Sequence, residues 1–133
     1  MNHGAKDIVG EVRRNIEELE NKISQIDKFL EIAPWGSLKY QQKKSGVYFY
    51  RRDREVSSNK RKLRYIPRKD MAEVQRLGQK GYLQNLKPVL VRELAALKDF
   101  ADRYRPEEKF AVYRNMSHVR REIVQPVFPD ADQ

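Results

Sequence analysis

The 133-residue chain has no cysteine, which excludes disulfides, thiolate metal sites and cysteine nucleophiles. Histidine is nearly absent as well. His3 stands at the N-terminus and His118 beside Ser117, with no second histidine or carboxylate read at ligand spacing, so neither a metal nor a cofactor site is expected. Gly78 and Gly81 are followed by no Lys-Ser/Thr pair, which rules out a phosphate-binding glycine loop of the familiar spacing. No apolar run approaches the roughly 18–20 residues that span a bilayer. The opening Met1 to Asp7 lacks the apolar core of a signal peptide. These absences point to a non-enzymatic, cytoplasmic protein that does not enter a membrane.

What is abundant is positive charge, and it is local. The net charge is +9, yet Ser37 to Lys69 holds 12 basic residues against only Asp53 and Glu55, so the rest of the chain nets −1. A polyanion is the expected partner. The same stretch carries Tyr40, Val47, Tyr48, Phe49, Tyr50, Tyr65 and Ile66, a composition that folds as strands and not as a disordered basic tail.

Apolar positions organise the rest into an α+β chain of one expected domain, 1–133. Ile8, Val12, Ile16, Leu19, Ile23, Ile26 and Leu30 recur at spacings of 3 and 4, a coiled-coil-like seam that predicts a helix over 5–33. Pro34 and Gly36 end it. The period then falls to 2, predicting a three-stranded antiparallel meander over 37–67 with strands near 37–41, 47–52 and 62–66. Lys43-Lys44-Ser45-Gly46 forms its tight turn, with Gly46 at positive φ. Asp70 and Glu73 read as a cap pair for a second long helix over 70–104. Within it, Pro88 is expected to kink or break the chain near Leu86 and to sit in the first turn of the helical segment after the break. Short helices over 107–115 and 117–124 precede a proline-containing tail. The two long helices are expected to lie antiparallel, each covering the other's seam; a parallel pairing or a four-helix dimer serves the same stripes.

Function is expected on the meander. Leu38 and Tyr40 share one side of the first strand opposite Lys39, while Leu63 and Tyr65 share one side of the third opposite Lys62 and Arg64. The basic residues are therefore expected on a single face. On the middle strand we read Phe49 as core and Tyr48 and Tyr50 as the exposed pair, with the reverse as the alternative. Lys39, Arg51, Arg52, Arg64 and Arg68 are assigned to phosphates or base edges of nucleic acid, with double-stranded DNA favoured. Lys43, Lys44, Lys60 and Arg61 flank them in turns, Arg54, Lys62 and Lys69 extend the patch, and Tyr48 and Tyr50 pack on sugars or bases. Asp53 and Glu55 are expected to form local ion pairs with the neighbouring arginines. Trp35 reads as a hydrophobic plug at the helix-to-sheet corner, with base stacking as the alternative. The competing reading is a coiled-coil protein-interaction module, a homodimer or an adaptor or inhibitor of a nucleic-acid enzyme encoded by a mobile element, acting through the helical stalk.

Five runs carry a family resemblance: Pro34-Trp35-Gly36-Ser37-Leu38, Tyr48-Phe49-Tyr50-Arg51, Tyr65-Ile66-Pro67-Arg68-Lys69-Asp70, Gln79-Lys80-Gly81-Tyr82-Leu83-Gln84 and Arg120-Arg121-Glu122-Ile123-Val124-Gln125-Pro126-Val127. With them the chain resembles, over nearly its whole length, the N-terminal region of a group of uncharacterised proteins common in gut Firmicutes. Many of those continue into a restriction-endonuclease-like PD-(D/E)XK domain, and the resemblance implies an accessory domain that brings a nuclease to DNA. No nuclease residue transfers to this sequence, since Pro129-Asp130 is followed by no Glu-x-Lys. Pro88 departs from the unbroken second helix expected of the group. In order of elements alone the chain is also similar to the arm-binding domains of tyrosine recombinases, where a three-stranded sheet followed by a helix reads DNA.

Overall fold

The computed structural model describes residues 5–54 and 61–128. It is α+β: a long helix, a three-stranded antiparallel sheet, a long bent helix and two short C-terminal helices. Helix α1 spans Ala5–Ile32 and stops two residues before Pro34, where the proline disfavours helical geometry at the residue before it. Strands β1 (Ser37–Lys43), β2 (Gly46–Arg54) and β3 (Arg61–Ile66) form a meander in the order β1-β2-β3. Lys43 pairs with Gly46 across the first turn, leaving Lys44 and Ser45 at its tip. Gly46 has φ +139°, as its place in the turn requires. After Pro67 a 3₁₀ turn, Arg68–Asp70, leads into α2, Met71–Arg103. Helices α3 (Glu108–Arg114) and α4 (His118–Ile123) complete the chain.

One expectation about α2 is corrected, and of the two outcomes expected at Pro88 the bend is present and the break is not. Asp70 occupies the N-cap position but its side chain makes no capping hydrogen bond, and Glu73 turns toward the sheet instead. The helix is also unbroken at Pro88, which lies in its interior. Proline removes one N–H and so leaves the Gln84 carbonyl without its donor. Both Gln84 and Pro88 are exposed, so water can serve that carbonyl and the helix bends without ending.

Two ion pairs fix α1 antiparallel to α2: Asp27 with Lys87 at 2.5 Å and Glu20 with Lys98 at 3.2 Å. At the sheet end, Lys80 of α2 donates to the carbonyls of Pro34 (2.9 Å) and Gly36 (2.8 Å). That contact ties α2 to the corner where α1 becomes β1. The core lies beside it: Ile66, Val74 and Leu77 are buried, with Leu38 and Phe49 packed against them. Trp35 is not the expected plug, for it is 87% exposed. Lys80 holds the corner instead, by hydrogen bonds to the backbone carbonyls of Pro34 and Gly36.

The seams are less covered than the antiparallel arrangement promised. Ile26 is the one buried residue of α1 among those described, and no residue of α2 beyond Leu83 is buried. Ile16, Leu19, Leu90, Leu94 and Leu97 are half-buried. Two helices alone enclose only one side of each stripe.

Candidate nucleic-acid interface

Strand register sorts the basic segment onto two sides of the sheet. Leu38 pairs with Arg51, Tyr40 with Phe49, Phe49 with Ile66, and Arg51 with Arg64. Directly paired residues share a face and alternate ones do not. One side therefore holds Leu38, Tyr40, Phe49, Arg51, Asp53, Lys62, Arg64 and Ile66, and it is this side that packs on α2. The other side holds Lys39, Gln41, Lys43, Tyr48, Tyr50, Arg52, Leu63 and Tyr65. Phe49 is thus core and Tyr48 and Tyr50 face away from it, as read from the sequence.

The expectation of a single basic face is corrected by the same pairing. Arg51 and Arg64 lie on the helix side, where they are direct cross-strand partners, and two like charges so placed repel. Glu73 of α2 resolves the repulsion: Arg51 Nη1 donates to Glu73 Oε1 at 3.2 Å and Arg64 Nη2 to the same oxygen at 3.3 Å. Asp53 accepts from Arg51 Nε at 3.0 Å, the local ion pair expected of that carboxylate. Lys62 is exposed, opposite Asp53 in the ladder. These contacts attach the sheet to the helix. Arg51 is the most enclosed member, its side chain 20% exposed, against 26% for Glu73 and 58% for Arg64. Glu73→Gln should therefore cost about 1–2 kcal/mol, most of it through Arg51 because the Arg64 contact is screened by water. Urea unfolding should show this loss shrinking as salt is raised.

The opposite side is open. Among its described residues there is no acidic group, whereas Asp53 and Glu73 both serve the helix side. Tyr50 and Tyr65 meet edge to face, ring centroids 5.7 Å apart. The Lys43 ammonium lies 5.3 Å from the Tyr48 ring centre, and the Tyr48 hydroxyl is hydrogen-bonded to Ser45 Oγ at 2.6 Å. Tyr48 and Tyr50 are half-buried and Tyr65 is exposed on this side, which also carries Lys39, Lys43 and Arg52. Tyr65 belongs to this surface and was missed as a site residue. Its signal was the parity it shares with Leu63, opposite to buried Ile66.

The remaining expected residues fall around this sheet. Lys44 is exposed at the turn tip. Arg68 and Lys69 are exposed in the 3₁₀ turn, with the Arg68 guanidinium reaching toward Gly46. Arg54 and Arg61 are ladder partners at the outer end of β2 and β3. Lys60 and Glu55 lie outside the described residues.

Among the described residues no group of three or more His, Cys, Asp or Glu could hold a metal ion. His118 does have a carboxylate at helical spacing, contrary to the sequence reading, since its Nε2 lies 3.0 Å from Glu122 Oε1. Both side chains are mostly exposed, so the pair is a surface contact. No described helix is long and apolar enough to cross a membrane. No family model, curated protein or solved structure matches the chain.

Proposed function

We propose that the protein is a non-catalytic nucleic-acid-binding module that presents the open side of its sheet to double-stranded DNA. The observation that carries this reading is the separation of charge: the acidic partners in the sheet region sit on the helix side, while Lys39, Lys43 and Arg52 share the other side with three tyrosines and no acid among the described residues. Three strands about 4.8 Å apart span roughly 10 Å between the outer axes, which suits a major groove about 12 Å wide. The tyrosine rings support duplex over single strand because Tyr50 and Tyr65 contact each other while Tyr48 contacts Lys43 and Ser45. Rings so engaged are better placed to lie along sugars than to sandwich unstacked bases. In this reading Lys44 and Arg68 reach phosphates from the turn end, and Arg51 and Arg64 are structural.

The test is fluorescence anisotropy of a labelled duplex and the matching single strand across a salt series. Neutralising three to five phosphates predicts a slope of log K against log salt of about −2.7 to −4.5. Tighter binding of the single strand would overturn the duplex assignment, and no binding at low salt would overturn the function.

A second reading, a protein-interaction module, draws support from the half-covered stalk seams. An activity that survives charge reversal on the open sheet but is lost on substitution in the stalk would favour it.

A further inference from the structure

We propose that the stalk is half of a four-helix bundle, completed by a second copy of this chain packed antiparallel so that the two basic sheets stand at opposite ends. This inference does not depend on what the sheet binds.

Three observations support it. A compact protein of 15.8 kDa exposes about 7,300 Å², whereas this chain exposes 11267 Å². That excess of about 4,000 Å² is ample for a dimer, since obligate interfaces bury roughly 2,000–5,000 Å² in total. Next, α2 carries an apolar line that α1 leaves open at Tyr82 and Val89 and only flanks at Phe100, beside Val9 and Val12. Tyr82 (58% exposed), Val89 (47%) and Phe100 (39%) lie within about 20° of one direction at 100° per residue, about 65° from the half-buried line of Leu86, Leu90 and Leu97. Such a second stripe beside the first is what a bundle helix needs to touch two neighbours.

The third observation is the charge. Ala5–Ile32 and Met71–Arg103 together carry 11 basic and 11 acidic residues, so nothing in the stalk repels a copy of itself, while the segment from Ser37 to Lys69 carries +10. Antiparallel packing keeps those two segments about a helix length apart, roughly 40 Å for 28 residues and several Debye lengths. It also sets Tyr82 of each copy near Phe100 of the other, with Val89 near the two-fold axis, in an isologous contact. Glu93 falls in the stripe, and Arg92 on its flank is placed to neutralise it across that axis.

Sedimentation equilibrium on the full chain at tens of micromolar should give twice the chain mass. Tyr82→Lys with Val89→Lys should return it to monomer with helix content by circular dichroism retained, because both side chains are exposed in the single chain. A monomeric wild type, or a double variant that stays dimeric, would overturn the proposal. The orientation is read by single cysteines placed in this cysteine-free chain: Val89→Cys should cross-link to itself on oxidation and Trp35→Cys, at the sheet end, should not. Self-cross-linking of both cysteines would mean a parallel pair and would refute the antiparallel bundle.

Discussion

Gly36→Ala is expected to destabilise the protein by about 3 kcal/mol or more and to lower its Tm by roughly 10 °C. Gly36 has φ +91°, a region that costs a side-chain-bearing residue about 1–3 kcal/mol. Space is the larger problem. A Cβ there would stand 2.6 Å from Asp53 Oδ1, 2.8 Å from the Arg52 carbonyl oxygen and 2.9 Å from Arg51 Cγ. The carbonyl belongs to the central strand and cannot retreat without loosening the ladder at Ser37–Arg52. Any shift of the corner also pulls the Gly36 carbonyl from Lys80, the contact that holds α2 there. Gly46→Ala is the internal control. Its φ is also positive, but its Cβ would meet only Arg68 Nη2 at 3.8 Å, so strain alone should appear, at less than half the cost. Thermal and urea denaturation of both variants measure the difference.

Lys39→Glu with Arg52→Glu is expected to weaken duplex binding at least 100-fold near 0.1 M salt while leaving stability within about 1 kcal/mol of wild type. Reversing two charges removes two attractions to phosphate and adds two repulsions. A 100-fold loss corresponds to about 2.7 kcal/mol, modest for four such changes at a charged groove. The fold should tolerate both substitutions because neither residue reaches the Ile66, Val74 and Leu77 core. They flank Tyr50 and Leu63 through the ladder pairs Lys39–Tyr50 and Arg52–Leu63, so the lost charge comes from the middle of the proposed surface. The salt slope should flatten along with the affinity, since fewer counterions are released.

Period and punctuation made the elements legible. The 3–4 spacing from Ile8 to Leu30, the change to period 2 after Gly36 and the glycine at the first turn all appear in the structure within a few residues of where the sequence puts them. Side-chain destinations were harder, because each strand offers two parities and only the register between strands chooses among them. In β3 the apolar pair Leu63 and Tyr65 looked like the inner side, yet Ile66 is the buried residue, so Lys62 and Arg64 turn toward the helix and the tyrosine turns outward. Arg51 and Glu73 are 22 positions apart, and nothing local marks a helix-start glutamate as the counter-ion of a strand arginine. Local composition thus located the basic surface, but only the fold separated its structural arginines from its open cations.

The decisive measurement is duplex affinity across salt for the wild type, for Lys39→Glu/Arg52→Glu on the open side and for Lys62→Glu on the helix side. The account predicts salt-steep binding by the wild type, a loss of at least 100-fold in the open-side variant, and no more than a few-fold change for Lys62→Glu through the long-range field. Equal losses from the two sides would mean that the sheet acts as a diffuse positive charge without a binding face, and would contradict the account.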